Sequence, residues 1–116
     1  RKKLPFEDNS LDGCYSHMLY CMALTEDELH NLNEEIRRVL KPNGINIFTV
    51  RNFKDGDFKK GIHRGEDLYE NDKYIVHFFS KEKLNSFLKG FKNLVLDEFE
   101  EGSFPRKLFF VVNKKV

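Results

Sequence analysis

Two histidines, His63 in GIHRGED and His77 in IVHFFS, carry the side chains best suited to move a proton near neutral pH, and they are the candidate catalytic bases. A ring nitrogen at either position could equally bind a polar ligand group. Arg64 and Glu66 flank Gly65 with opposite charges and can hold a polar ligand, while Tyr69 and Tyr74 can line an apolar pocket. The neighbouring Phe78 and Phe79 are expected in the core. Arg106, directly after Pro105, can hold an anionic ligand. Each of these has an ordinary structural alternative: a solvated loop histidine, a packed strand-end histidine, a charge pair that serves solubility, an edge-strand charge.

Two other chemistries are present in outline. Cys14, His17, Cys21 and His30 include a C-x2-H step followed by a second Cys/His pair, as a zinc site might. Cys14 lies on a predicted strand and His30 on the following helix, which a compact tetrahedral site would not straddle, so no metal is expected. Residues 51–64, RNFKDGDFKKGIHR, interleave aromatic and basic side chains like a nucleic-acid surface, which keeps a non-catalytic binding module open as the alternative. Asp55 and Asp57 interrupt that run, and 20 Lys+Arg against 19 Asp+Glu give a formal charge of only +1. No global field recruits nucleic acid or an anionic membrane, so nucleic acid is an unfavoured partner.

The elements that must position these groups follow from pattern. A chain of 116 residues is enough for one domain with a modest core. Its longest apolar run, Leu108 to Val112, is far short of a bilayer span, and no signal-like segment opens it; a soluble, cytoplasmic protein is expected. Two cysteines are no disulfide framework, which agrees with a reducing compartment. Residues 11–17 read as a strand. Thr25 and Glu28 form a capping box, and Leu29, Leu32, Ile36, Val39 and Leu40 make one apolar stripe. Pro42 stops that helix, and Asn43-Gly44 supplies a positive-φ exit into the buried strand INIFTV. Residues 52–75 show no sustained periodicity and read as a long loop. Ser80 then caps a helix whose inner stripe is Leu84, Phe87, Leu88 and Phe91. NLVLDEFEE and RKLFFVVNK follow as an antiparallel pair, because their connection is too short for a parallel crossover. The expected order is strand, helix, strand, loop, helix, strand, strand: an α/β chain with a terminal antiparallel hairpin.

LPFEDNSLDGCYS followed by EEIRRVLKPNG resembles the second half of a class I S-adenosylmethionine-dependent methyltransferase of the type 11 kind. Leu4, Pro5, Phe6, Asp8, Ser10, Leu11, Asp12, Arg38, Val39, Leu40, Lys41, Pro42 and Gly44 match in order. The resemblance covers the whole chain as one partial domain, residues 1–116, the carboxyl-terminal half of a Rossmann-like sheet. It implies methyl transfer from S-adenosylmethionine to a small-molecule acceptor. It places Leu4, Phe6, Ser16, His17 and Leu19 along the cofactor, and Arg51, Asn52 and the 52–75 loop over the acceptor, with the EEGSFPR turn closing the far side.

The seven glycines contain no G-x-G-x-x-G. The glycine-rich cofactor turn of such enzymes is thus absent from these residues, and a fragment with lost or weakened cofactor binding is expected. Its first strand would then be an open edge, so a homo-oligomer is expected as well.

Overall fold

Thr25 opens the first helix as its sequence requires. Its hydroxyl accepts the Glu28 N–H, and the Glu28 carboxylate accepts the Thr25 N–H in return. The computed structural model describes residues 3–71, 74–102 and 106–116. In it α1 spans Glu26–Val39 and buries Leu29, Ile36 and Val39, with Leu32 half-buried beside them. Each fully buried aliphatic side chain contributes about 1.5–3 kcal/mol before entropy is counted. Leu29 and Ile36, with Leu32 packed against them, meet Phe48, Val50, Phe109 and Val111 of the sheet in one cluster.

The main sheet has four strands: β1 Leu11–His17, β2 Leu40–Arg51, β6 Phe91–Glu101 and β7 Arg106–Lys115. Their order is β1-β2-β7-β6. The β1/β2 pair is parallel, joined through α1, and β7 lies antiparallel to both its neighbours. This is the α/β sheet with a terminal antiparallel hairpin that the sequence predicts. Ser103, Phe104 and Pro105 of the expected hairpin turn lie outside the described residues.

Arg38 explains why the two matching stretches occur together. Its guanidinium donates to the carbonyls of Leu4 and Phe6 and to the carboxylates of Asp8 and Glu35. The Asn9 and Ser10 N–H groups in turn bond the carbonyls of Arg38 and Val39, which the helix leaves unsatisfied at its end. One motif is the cap of the other.

Four expectations need correction. The turn into β2 takes positive φ at Asn43 (68°) but not at Gly44. Glycine is needed at 44 for space, since a Cβ there would lie 2.8 Å from the Lys41 carbonyl oxygen. The strand assignment also starts at Leu40, paired with Leu11 across an irregular register, rather than at Ile45.

Residues 52–75 are not simply a loop: β3 Ile62–His63, β4 Leu68–Asn71 and β5 Tyr74–His77 form a second, antiparallel sheet in that order. Strands of two to four residues carry too few alternations to show a period. Finally, α2 covers only Lys81–Asn85. The Ser86 hydroxyl bonds back to the Lys83 carbonyl, the chain turns, and Phe91 already belongs to β6. The expected stripe is nevertheless inside, with Leu84, Phe87 and Phe91 buried and Leu88 packed against them.

Candidate active site

Parallel strands β1 and β2 end side by side, and a cleft of about 570 Å³ opens beyond their carboxyl ends. Ligands of open α/β sheets bind in this location. One wall is apolar: Met18 and Met22 follow β1, and Ile75 and Val76 come from β5 of the small sheet. The polar liners are Arg51 at the end of β2, Asp57, Asn71, and Arg106 at the start of β7. A cavity of this size suits a small molecule.

Arg51 is held rigidly. Its Nε and Nη2 donate to Asp55 at 3.1 and 2.8 Å, and Nη2 also reaches Asp57 at 2.8 Å. Asp55, 5% exposed, takes the N–H groups of Asp57 and Lys107 as well. Burial alone would raise the Asp55 carboxyl pKa, but the Arg51 guanidinium and these two amides hold it below the ordinary value. The clamp ties the end of β2 to the loop and to β7. Arg106 is looser, with its Nη1 4.0 Å from Glu101 and its side chain half exposed.

The other expected residues, Tyr74 apart, are not among those that line the cleft. His63 is exposed; its Nε2 faces the Glu66 carbonyl and its ring stacks on Tyr69 at 4.7 Å. Arg64 pairs with Glu70, and the Glu66 carboxylate accepts the Glu26 N–H at the start of α1. Asn52 is buried; its amide oxygen accepts the Lys54 N–H, and its Nδ2 has no partner among the described residues. Leu4 packs against the core cluster, and Phe6 and Leu19 are partly exposed, at 48% and 36%. Ser16 carries a buried hydroxyl without a partner among the described residues. His17 is exposed at the end of β1, with Nδ1 2.8 Å from Thr49 Oγ1 and Nε2 3.1 Å from Glu101 Oε2.

His77 is fully buried and does not line the cleft. Its Nδ1 lies 2.7 Å from the Leu24 carbonyl and its Nε2 2.8 Å from the Lys83 ammonium. Burial first, and then the nearby Lys83 charge, push its pKa below the ordinary histidine value. Because the ammonium can only donate, Nε2 accepts and Nδ1 carries the proton to Leu24. Glu26, Asp67 and His77 form the one group with metal-ligand spacing among the described residues, and Lys83 bonds to all three. Its ammonium supplies the positive charge there.

The Cys14/His17/Cys21/His30 grouping is not assembled. His17 is engaged as described, His30 stacks on Phe87 at 4.2 Å, and Cys21 is buried in the core, where burial raises its thiol pKa. The basic residues of the 51–64 stretch are largely spent on carboxylates: Arg51 as above, Lys54 on Glu98, Arg64 on Glu70. Sequence reasoning places Met18 within the segment that follows the first strand and Asp57 and Asn71 only as members of the 52–75 loop; Met22 it misses.

A family model described as a methyltransferase domain matches residues 2–48. Arabidopsis thaliana 24-methylenesterol C-methyltransferase 2 is 37% identical over 75 residues, which cover 57% of this chain and 20% of that protein. The chain therefore spans about a fifth of that curated relative. A Methanosarcina mazei S-adenosylmethionine-dependent methyltransferase structure superposes with a TM-score of 0.78 at 19% identity, covering 98% of this chain and 63% of that one. The Burkholderia thailandensis 1,6-didemethyltoxoflavin-N1-methyltransferase, solved with its substrate and S-adenosylhomocysteine bound, gives 0.72 at 14% identity over 94% of this chain and 45% of its own. At such identities structural likeness speaks for the fold. Together with the family-model match, which spans both motifs, it supports a class I S-adenosylmethionine-dependent methyltransferase-like fold.

Proposed function

We propose that this chain is the acceptor-holding part of an S-adenosylmethionine-dependent methyltransferase acting on a small molecule. The observation that carries the proposal is the cleft at the carboxyl ends of β1 and β2, walled on its other side by the small sheet. The cofactor, when bound, supplies an electrophilic sulfonium methyl. Methyl transfer is an in-line displacement, so the protein's task is alignment of the acceptor, with a base required only for a protonated one.

Ser16 offers an unspent hydroxyl at the end of β1, and with His17 and Leu19 it is the segment proposed to run beside the cofactor; Leu4 and Phe6, held by Arg38 in the last turn of α1, sit instead at the amino ends of β1 and β2. Arg106 and Arg51 stand on the acceptor side of the cleft. Arg51 is fixed by its two carboxylates and serves as floor; Arg106 is free to swing toward a polar group of the acceptor. Methionines at Met18 and Met22 can adapt to varied apolar shapes. Among the described residues no helix is long and apolar enough to cross a membrane.

Calorimetric titration of the chain with S-adenosylhomocysteine tests the proposal. No glycine-rich cofactor turn occurs in these 116 residues, so weak but saturable binding is expected. Absence of saturable heat at millimolar ligand would refute cofactor binding by this chain.

A further inference from the structure

Met18, the first residue beyond β1, has φ of 61°, a left-handed conformation that a methionine adopts only under constraint. Its side chain lines the cleft. We infer that Thr49, His17 and Glu101 form a chain of hydrogen bonds that fixes Met18 in this conformation and thereby sets the shape of the cleft. The inference rests on the assignment of that cleft to the acceptor.

The direction of every bond follows from donor and acceptor inventory. The Met18 N–H is a donor shared between Thr49 Oγ1 at 2.8 Å and the Thr49 carbonyl oxygen at 3.1 Å. The Glu101 carboxylate can only accept, so His17 Nε2, 3.1 Å away, carries the ring proton and donates it there. In the neutral imidazole Nδ1 is then the acceptor, and the Thr49 hydroxyl, 2.8 Å away, donates to it. Three elements are joined at one residue: the carboxyl ends of β1, β2 and β6.

The order acid, imidazole, hydroxyl is that of a nucleophile triad, yet Thr49 is only 2% exposed and spends both its roles on Met18 and His17. It cannot reach a substrate. His17 has both nitrogens engaged, which makes it a positioning residue and leaves it no free lone pair for base catalysis. Glu101 also neighbours Arg106, so the same chain anchors the hairpin end that borders the cleft.

Long-range proton–nitrogen NMR of the labelled full chain at alkaline pH, where histidine is neutral, tests the inference without any ligand. His17 is expected as the pure Nε2–H tautomer, and the Met18 backbone carbon shifts should lie at left-handed values. Thr49→Val should mix the tautomers and move Met18 toward ordinary shifts, and Thr49→Ser should restore both. If Thr49→Val does not fold, Glu101→Leu is the second probe, and loss of the tautomer preference is expected there as well.

A wild-type Nδ1–H tautomer would overturn the inference, as would Met18 shifts unchanged in the valine variant or in the leucine variant. These readouts do not depend on S-adenosylhomocysteine. Failure of cofactor binding would leave the positioning chain standing, and failure of the chain would leave the methyltransferase proposal standing.

Discussion

Asp55→Asn removes one charge from the clamp at the cleft floor while keeping its shape. The carboxylate accepts four hydrogen bonds, from Arg51 Nε, Arg51 Nη2, the Asp57 N–H and the Lys107 N–H. An amide can satisfy at most two of these and turns a donor toward the Arg51 guanidinium. Removing one member of a buried ion pair costs about 3–5 kcal/mol. Arg51 keeps Asp57 in the variant, which places the expected loss at the low end, about 3 kcal/mol. With an unfolding entropy of about 2.1 cal/mol/K per residue, that corresponds to a Tm about 12 °C lower for a chain of this length.

Urea unfolding followed by far-UV circular dichroism measures the loss directly, and pH supplies a second axis. The Asp55 pKa is lowered in the folded state, so its contribution is complete above the unfolded carboxylate value, near 4, and fades as pH falls through the folded value. The gap between parent and variant should be full at pH 5 to 7 and should begin to shrink below about pH 4. A gap under about 1 kcal/mol at pH 7, or one that does not shrink at all between about pH 5 and 3, would refute the clamp.

Three further outcomes are expected. Tyr20→Phe should cost about 1–3 kcal/mol in the same unfolding assay, because the Tyr20 hydroxyl donates to Asn33 Oδ1 at 2.6 Å and accepts from Asn46 Nδ2 at 3.2 Å, and all three residues are buried. His77, with its pKa lowered in the fold, binds a proton more readily when unfolded, so stability should fall as pH drops below about 6.5; His77→Asn should flatten that slope, and an unchanged slope would exclude His77 as its source. The outer edge of β1 has no strand partner among the described residues and carries Tyr15 at 65% exposure, so light scattering should detect self-association; a monomer at high concentration would contradict it.

The parts of the fold legible in sequence were those governed by local rules. The Thr25/Glu28 box, the stripe from Leu29 to Leu40 and the hairpin of β6 and β7 each follow from spacing within a dozen or so residues. The buried Tyr20–Asn33–Asn46 network was not legible, since an asparagine inside a helical pattern looks like a solvated position until its partners are known. Asn33 also donates to the Phe87 carbonyl, at the turn that ends α2, another contact with no local trace. The cleft suffers from the same distance problem. Met18, Arg51 and Arg106 come from three separate segments that the strand order β1-β2-β7 brings to one end of the main sheet, and Val76 comes from the second sheet. Arg51 and Arg106 nevertheless stood out in the sequence, because each sits at the end of a recognisable strand.

Adjacent phenylalanines divide the interior between two masters. Phe79 belongs to the main cluster with Phe87 and Leu84. Phe78 instead faces Phe58 at 5.4 Å and Tyr69 at 6.3 Å, within a group where Phe53 stacks on Phe58 at 4.1 Å and His63 on Tyr69. The segment that walls the cleft thus carries an aromatic interior of its own. Such a segment behaves as a cassette: its cleft-facing residues, among them Asn71, Tyr74 and Ile75, can be rewritten to reshape the cleft while the packing that holds the cassette, and the sheet it rests on, stay as they are.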